Sequence, residues 1–292
     1  MASGETTTGG LAAALPSIIG SARLVHEFTG TWMRTTDVQR QGQGEGLNWQ
    51  EYSLDQKTAQ AISETTENNN NAQISGSLLQ TEPTMTQIIM KITDRTFRKL
   101  AKIVSGQFGA LAGNAMARLK DEDYLALFSG FGTGTSPGAG NPLSFGHIAA
   151  AKQNITSNVT EPSNAQVFTV LHGFQIKDIQ DEVNAGVGTY TIPEGLTAET
   201  FKQGFSGSVA GSNLFEDGNI TIDSGADAIG ATHSREAVVA AIGMEIKKET
   251  DRDLRFGGGA DVVSLVDEYS FVERSAGNWA LQHKSDATAP TS

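Results

Sequence analysis

The longest periodic pattern of apolar residues in the chain lies between residues 94 and 128. Apolar side chains recur there at steps of three and four residues, which is the spacing of one face of an α-helix. Asp94 is a suitable N-cap, and the glycine-rich run after residue 128 predicts the end of the helical segment. We therefore predict one or two long helices over 94–128. The predicted core face comprises Phe97, Leu100, Ala101, Val104, Phe108, Leu111, Ala112, Ala115 and Leu119.

The opposite face of this predicted helix carries only small side chains. A glycine inside a helix costs about 1 kcal/mol relative to alanine, so repeated glycines on one face need an explanation. A face without large side chains allows another backbone to approach closely. That backbone belongs either to the C-terminal sheet of the same chain or to another copy. The small residues are Gly106, Gly109, Ala110, Gly113 and Ala117.

The residues before this helix predict extended structure. Residues 1–45 begin with a polar, glycine-rich stretch and are predicted to be an N-terminal arm, with a short helix in 16–33. Residues 46–92 contain two extended runs around a polar tip with four consecutive asparagines, which predicts a long hairpin. Pro83 restricts the returning limb to an edge or a bulge at that point. Because a long isolated hairpin is only marginally stable in water, we expect it to rest on another surface.

Residues 143–230 predict alternating short helices and strands. Amphipathic stretches and short apolar runs follow one another there, separated by Gly, Asn and Ser. Ser144 and Thr197 are suitable N-caps for the first and last helix. The predicted helices are 145–154, 173–183 and 195–205, and the predicted strands are 165–171, 207–215 and 218–223.

The C-terminal region, residues 231–286, predicts a helix followed by strands. The apolar stretch 234–246 favours a helix, and the charged stretch 247–256 suits either an exposed helix or an edge strand. Residues 260–274 alternate as a strand does, and 279–284 are predicted to pair back on that strand after a turn. Residues 287–292 are predicted to be a disordered tail. The residues expected on one face of the alternating strand are Val263, Leu265, Tyr269 and Phe271.

Composition narrows the function classes. The net charge is −12, and no cluster of Lys and Arg provides the basic face that nonspecific nucleic-acid binding requires. The same charge disfavours binding to anionic membranes, and no apolar run reaches the length of about 20 residues of a membrane span. The chain contains no cysteine, which excludes disulfides, thiolate metal sites and cysteine nucleophiles.

The sequence contains no motif that indicates catalysis or a cofactor. Its five histidines include no pair at the i, i+4 spacing of a helical zinc site. The glycine-rich stretches lack the lysine of a phosphate-binding loop, and no nucleophile elbow occurs. Adjacent carboxylates such as Asp181–Glu182 and Asp267–Glu268 point in different directions, so they do not share a substrate. We therefore predict no catalytic residue, no metal site and no cofactor.

The order of these parts resembles the major capsid protein of tailed bacteriophages, which has the Hong Kong 97-type shell fold. The resemblance rests on 83–130 as hairpin return and spine helix, 168–183 as a strand–helix unit of the axial domain, and 232–286 as the C-terminal pattern. Each motif is a loose pattern, and their joint order carries the resemblance. It implies an α+β fold with an N-terminal arm (1–45), an extended hairpin loop (46–92), a peripheral domain with spine helix and sheet (93–142 and 231–286) and an inserted axial domain (143–230).

The resemblance implies a structural protein, not an enzyme, that assembles with copies of itself. Its expected partners are hexamers and pentamers of the same chain, a portal and a decoration protein. Some family members carry a long N-terminal scaffolding segment. Only 1–45 precede the hairpin here, which implies a separate scaffolding protein or none. The expected location is the virion, after assembly in the cytoplasm of a bacterial host. An acidic inner wall would confine double-stranded DNA without binding it specifically.

The resemblance also identifies candidate contact residues between subunits. These include the small helix residues Gly106, Gly109, Gly113 and Ala117, which a neighbour's arm or hairpin would cross. On the hairpin they are Trp49, Tyr52 and Lys57. Some relatives join a hairpin lysine to an asparagine of a neighbour by an isopeptide bond, for which Lys57 and Asn278 are the candidates. The alternative is a solvated lysine and an ordinary turn asparagine.

Three other functions fit parts of the sequence. A bacterial nanocompartment shell has the same fold and encloses an enzyme instead of DNA. A small α+β enzyme fits the size of the chain but lacks catalytic motifs. An adhesin or carbohydrate-binding module fits the abundance of Asn, Gly and Thr, but not a long helix in the middle of the chain.

Overall fold

The computed structural model describes residues 30–42, 44, 46–59, 61–65, 71–99, 108–184, 207–255, 258–275 and 277–291. Five α-helices, one 3-10 helix (Leu127–Gly130) and eleven strands lie within these ranges. The helices are α1 (Trp32–Thr35), α2 (Asp94–Lys99), α3 (Phe108–Ala126), α4 (Phe145–Thr156) and α5 (Gly173–Asn184). The strands are β1 (Asp37–Arg40), β2 (Trp49–Leu54), β3 (Gly76–Thr81), β4 (Thr84–Thr93), β5 (Val167–Leu171), β6 (Ser208–Val209), β7 (Ser212–Glu216), β8 (Asp227–Ser234), β9 (Val238–Asp253), β10 (Ala260–Glu273) and β11 (Ala280–Asp286).

These strands form three sheets. A four-stranded sheet has the order β1-β9-β10-β4, and a five-stranded sheet has the order β11-β8-β5-β7-β6. Strands β2 and β3 form a separate two-stranded ribbon. The β1–β9 and β5–β7 pairs are parallel, whereas the other pairs are antiparallel. The mixed helix and sheet content agrees with the α+β fold predicted from the sequence.

Strand β9 replaces the helix predicted for 234–246. Its first five residues, 238–242, are all buried between β1 and β10. A strand with neighbours on both edges and cover on both faces has a continuous apolar run, which the sequence pattern does not distinguish from a buried helix. The strand continues to Asp253. The charged stretch that begins at residue 247 is therefore exposed strand up to Asp253, and not a helix.

Strand β11 does not pair with β10, which contradicts the predicted C-terminal hairpin. It pairs with β8 instead, with Ala280 opposite His233. Strand β8 spans the predicted boundary between residues 230 and 231, so the five-stranded sheet takes strands from both sides of it. Residue Ala287, within the predicted disordered tail, is buried, and its N–H donates to Ala226 O at 2.7 Å. The predicted strand 218–223 contributes only an isolated bridge between Ile222 and Ala228.

The predicted N-terminal arm extends too far along the chain. Residues 37–40 form β1 in the four-stranded sheet, and Trp32 belongs to the same buried cluster as Tyr124 and Phe128. The core therefore includes 30–40, because a buried indole and a paired strand fix this segment to the rest of the described fold. Residues 1–29, with most of the helix predicted in 16–33, lie outside the described residues, as does the helix predicted for 195–205.

Helix α2 begins at Asp94, one residue earlier than an Asp94 N-cap requires. The capping position belongs to Thr93, whose Oγ1 accepts a hydrogen bond from the Thr96 N–H at 3.4 Å. At α4 the predicted cap is confirmed, since the helix starts at Phe145 directly after Ser144. The Ser144 N–H also donates to His147 Nδ1 at 3.2 Å, so both ends of a capping box are present.

Helix α3 confirms Ala112 as a core residue but otherwise buries a face rotated from the one predicted. Ala112 and Met116 pack against Leu265, but Leu111 and Leu119 are 43% and 39% exposed. The buried row continues through Lys120 and Tyr124, because both polar side chains have buried partners on the sheets. Of the other predicted core residues, Leu100, Ala101 and Val104 and the side chains of Phe97 and Phe108 lie outside the described part of the chain.

Two polar contacts attach α3 to the two larger sheets. Lys120 Nζ forms an ion pair with the fully buried carboxylate of Asp267 on β10. The Tyr124 hydroxyl donates to His233 Nε2 on β8 at 2.7 Å, because His233 Nδ1–H donates to the Ser234 carbonyl at 2.9 Å. Burial lowers the pKa of His233 to about 4, so the imidazole is neutral and accepts this bond.

Removing the charge of Asp267 should destabilise the folded chain strongly. The Asp267→Asn variant leaves a buried lysine without its counter-ion, which typically costs about 3 kcal/mol. Chemical denaturation should measure this loss. The control is Glu122→Gln, which removes a carboxylate from the exposed pair Arg118–Glu122 and should change stability by less than about 0.5 kcal/mol. Equal effects in the two variants would contradict the role of the buried pair.

Candidate intersubunit surface

The β2–β3 ribbon pairs the two limbs of the hairpin predicted for 46–92, but only over 49–54 and 76–81. The pairing is antiparallel and runs from Trp49 opposite Thr81 to Leu54 opposite Gly76. Pro83 is buried between β3 and β4 and lies outside both strands, in agreement with the restriction that proline places on a strand. The returning limb then continues as β4 into the four-stranded sheet, so the ribbon is a projection from that sheet.

One face of the ribbon is apolar and exposed. Tyr52 and Leu78 pair across the two strands and are 58% and 55% exposed, and Leu54 on the same face is 66% exposed. Gly76 lies under the Tyr52 ring, where an added Cβ would be 2.9 Å from the ring and 2.2 Å from the Ser53 carbonyl. Nothing within the described residues of this chain buries these side chains, which we call the ribbon face (Tyr52, Leu54 and Leu78).

The base of the ribbon is fixed to the sheet by Arg274. Its Nε donates to Glu51 on β2 at 2.8 Å, and its second terminal nitrogen lies 2.8 Å from the Asp37 carboxylate on β1. The guanidinium also lies over the Trp49 ring at 5.9 Å. Trp49 therefore has a charged partner within its own chain. No sequence signal identifies Arg274, because its partners are far away in the chain.

Lys57 and Asn278, the residues of the possible cross-link, each have polar partners in their own chain. Lys57 is exposed and donates to Ser75 on the opposite limb of the hairpin. Asn278 is half-buried in a turn, where its Oδ1 accepts from Asn158 at 3.3 Å and its Nδ2 donates to Ser275 at 3.2 Å.

The small residues of α3 form a row beside the buried row. Gly109, Gly113 and Ala117 follow one another at steps of four, next to the row of Ala112, Met116 and Lys120. A Cβ built on Gly109 or Gly113 would meet no atom within 4 Å, so both face open space. We call these three residues the small-residue row. Gly106 lies outside the described residues.

A cavity of about 590 Å³ lies beside the end of this row. Ala117 lines it together with Met33, Ile242 and Ile246. The next position of the row, Asp121, is covered by the chain itself, since a Cβ on Gly30 would be 2.6 Å from the Asp121 carboxylate oxygen. The candidate contact residues thus lie on two surfaces, the ribbon and the flank of α3.

The described residues contain no cluster of three or more His, Cys, Asp or Glu side chains arranged to hold a metal ion. Within the same ranges, no helix is long and apolar enough to cross a membrane. Two of the described histidines, His233 and His283, are fully buried, and burial lowers the pKa of each to about 4. Their hydrogen bonds to Tyr124 and Thr232 give them structural roles.

Comparison with solved structures identifies the fold. No protein-family model and no curated protein sequence matches the chain. The capsid asymmetric unit of cyanophage Pam1 superposes with a TM-score of 0.71 over 99% of this chain and 100% of its own, at 9% identity. The head structure of Helicobacter pylori bacteriophage KHP40 gives 0.69, with 92% and 94% covered at 9% identity. The capsid of Ralstonia phage GP4 gives 0.66, with 94% and 95% covered at 12% identity.

The chain therefore has the Hong Kong 97-type capsid fold, as the order of its parts predicted. The match covers almost the whole of each chain. Identities of 9–12% show the fold alone.

Replacing Arg274 by methionine should loosen the ribbon without unfolding the sheet. Arg274→Met keeps the apolar stem but removes the hydrogen bonds to Glu51 and Asp37, which are charge-assisted. Amide hydrogen exchange in 49–54 should accelerate about tenfold, equivalent to roughly 1.4 kcal/mol of local stability.

The matched control for this variant is Arg40→Met, because Arg40 pairs with Glu245 on the exposed surface. Exchange in 49–54 should be unchanged in that variant. If Arg274→Met left the ribbon as protected as in the wild type, Arg274 would not be its anchor.

Proposed function

We propose that this protein is the major capsid protein of a tailed bacteriophage, a structural subunit that forms an icosahedral shell around double-stranded DNA. The observation that carries the proposal is the likeness to phage capsid subunits over nearly the full length of both chains. The subunit would be assembled in the cytoplasm of a bacterial host and would end in the virion. Copies of the chain are its main partners, arranged as hexamers and pentamers.

The parts of the subunit receive roles in this proposal. The four-stranded sheet with α3 is the peripheral domain, and α3 is the spine helix. The five-stranded sheet with α4 and α5 is the axial domain, which gains β8 and β11 from the C-terminal region. The ribbon is the extended loop, and residues before Gly30 are the arm. A portal, a separate scaffolding protein and a decoration protein are further proposed partners.

Surfaces left open in the single chain support assembly. The ribbon face exposes three large apolar side chains on a two-stranded element that is marginally stable alone. The small-residue row offers a flat helix flank where a neighbour's backbone can approach. Each contact is small, but a closed shell repeats it many times, so weak contacts add up through multivalency. The net charge of −12 suits a wall that encloses DNA without binding it.

Electron microscopy of the purified full-length protein tests the proposal. We expect closed shells of megadalton mass, alone or on addition of a scaffolding protein from the same genome. A stable monomer of about 31 kDa in both conditions would contradict it. Co-purification of an enzyme inside the shells instead of DNA would favour a nanocompartment.

Enlarging the small-residue row should block assembly without harming the subunit. In Gly113→Leu the new side chain extends into open space, and leucine is a better helix former than glycine by nearly 1 kcal/mol. The variant should therefore fold with at least wild-type thermal stability. If a second copy covers the row, the yield of shells measured by sedimentation should fall about tenfold, a change of roughly 1.4 kcal/mol in the contact.

The control for the row is Glu122→Leu, which places the same side chain on an exposed position of the same helix. Its shell yield should stay near that of the wild type. Wild-type yield in Gly113→Leu would show that the row is not a contact between subunits, whereas shell formation itself would still stand.

A denaturing gel tests the cross-link between Lys57 and Asn278. We expect a single monomer-sized band after boiling assembled shells in detergent, because both side chains already have partners in their own chain. A ladder of higher bands that disappears in Lys57→Arg would contradict this expectation and demonstrate the isopeptide bond.

A further inference from the structure

A pair of buried carboxyl groups joins three segments of the chain. Asp121 lies on α3, Asp217 follows β7, and both are fully buried. Thr31, just before α1, bridges them: its N–H donates to Asp121 Oδ1 and its hydroxyl donates to Asp217 Oδ2, both at 2.9 Å. Asn219 bridges them from the other side, with its Nδ2 donating to Asp121 Oδ2 at 2.9 Å and its N–H to Asp217 Oδ1 at 3.0 Å.

No cation neutralises this pair within the described part of the chain, where neither carboxyl takes part in an ion pair. Lys120 is adjacent in sequence, but its Nζ pairs with Asp267. The other charged or titratable groups on the surrounding elements are Glu122 and Tyr124 on α3, Arg34 on α1 and His233 on β8.

These neighbouring groups leave the pair uncompensated. Glu122 and Arg34 are exposed to solvent, and the Tyr124 hydroxyl is hydrogen-bonded to His233. Burial is the main reason that the pKa of Asp121 rises to about 6, and the nearby charge of Asp217 raises it further. A single proton shared by the two carboxyls removes their repulsion, because the protonated group can donate to the ionised one.

We propose that Asp121 and Asp217 form a proton-dependent latch that holds the segment at Thr31 and the loop after β7 against helix α3. In the protonated state one carboxyl donates to the other, and Thr31 and Asn219 bind both. In the ionised state two buried anions face each other, and the three segments separate more easily.

The latch acts on the point where residues 1–29 join the described fold. The backbone of Gly30 lies directly on the Asp121 carboxyl, since an added Cβ would be 2.6 Å from its Oδ1. A change at Asp121 therefore reaches the chain that leads into the proposed arm. The inference goes beyond the proposed shell function and does not depend on it, because the three segments belong to one subunit.

The sign of the pH dependence follows from the direction of the shift. A carboxyl with a raised pKa in the folded state contributes stability that is present below its ordinary pKa of 3.8 and is lost as pH rises through about 6. His233 and His283 act in the opposite sense, because their lowered pKa values make acid destabilising in the same range. A comparison of variants at each pH separates these contributions, whereas the wild type alone does not.

The test compares thermal melting of the full chain and of Asp121→Asn between about pH 4.5 and 8. The amide cannot ionise, so Asp121→Asn should gain stability relative to wild type as pH rises. The difference in Tm between the two should increase by about 5 °C across this range. Glu122→Gln, an exposed carboxylate on the same helix, should show a difference that does not change with pH. A constant difference for Asp121→Asn would overturn the latch.

Two further measurements keep the proposal testable if that variant does not fold. Asp217→Asn removes the repulsion from the other partner and should give the same pH trend. In the wild type, hydrogen exchange of 30–36, corrected for its intrinsic pH dependence, should lose protection between about pH 5 and 7.5. Unchanged protection there would refute the latch. Electron microscopy at both pH values reports separately on shell formation, so failure of either proposal is recognisable.

Discussion

The buried row of helix α3 is the constraint on which the rest of the structure depends. Its polar members, Lys120 and Tyr124, find their partners on different sheets, Asp267 on β10 and His233 on β8. A buried polar group without a partner costs more than a typical hydrogen bond contributes, so both contacts must form together. They fix the helix against the four-stranded and the five-stranded sheet at once. These two contacts thereby set the positions of the ribbon and of the open flank of α3.

The sequence predicts the parts whose pattern is local. The alternation in β10, the two limbs of the hairpin and the cap at Ser144 are each readable within a few residues. The order of the parts was enough to predict the fold class. The buried face of α3 was not predictable, because a hydrophobicity pattern places Leu111 and Leu119 in the core rather than Lys120 and Tyr124. The partner of Lys120, Asp267, is too distant in the chain for any local pattern to reveal it.

The intersubunit contacts stay a prediction, and the exposure of the candidate residues differs for a related reason. Tyr52 and Ala117 are exposed, whereas Trp49 lies against Arg274 of its own chain. An aromatic residue on an exposed hairpin has the same sequence signature whether its cover comes from its own subunit or from a neighbour. Only the position of the end of β10, which brings Arg274 to the ribbon base, decides between the two. The prediction of a helix over 234–246, where β9 lies, was wrong for the same reason, since the burial of β9 depends on neighbours on both edges.

The low identity with the phage capsid proteins that share this fold follows from what such a fold must preserve. A core tolerates extensive exchange of apolar residues when total volume and pattern are kept. The arrangement of sheets, ribbon and helix is fixed by which surfaces are covered within the subunit and which stay open. Many different residues can cover a helix face, and any small residue can leave one open. The same arrangement can therefore persist at 9–12% identity. A buried ion pair such as Lys120–Asp267 is one of several ways to attach the long helix to the sheet. For this reason the function of the chain has to be argued from its open surfaces and their geometry rather than from individual residues.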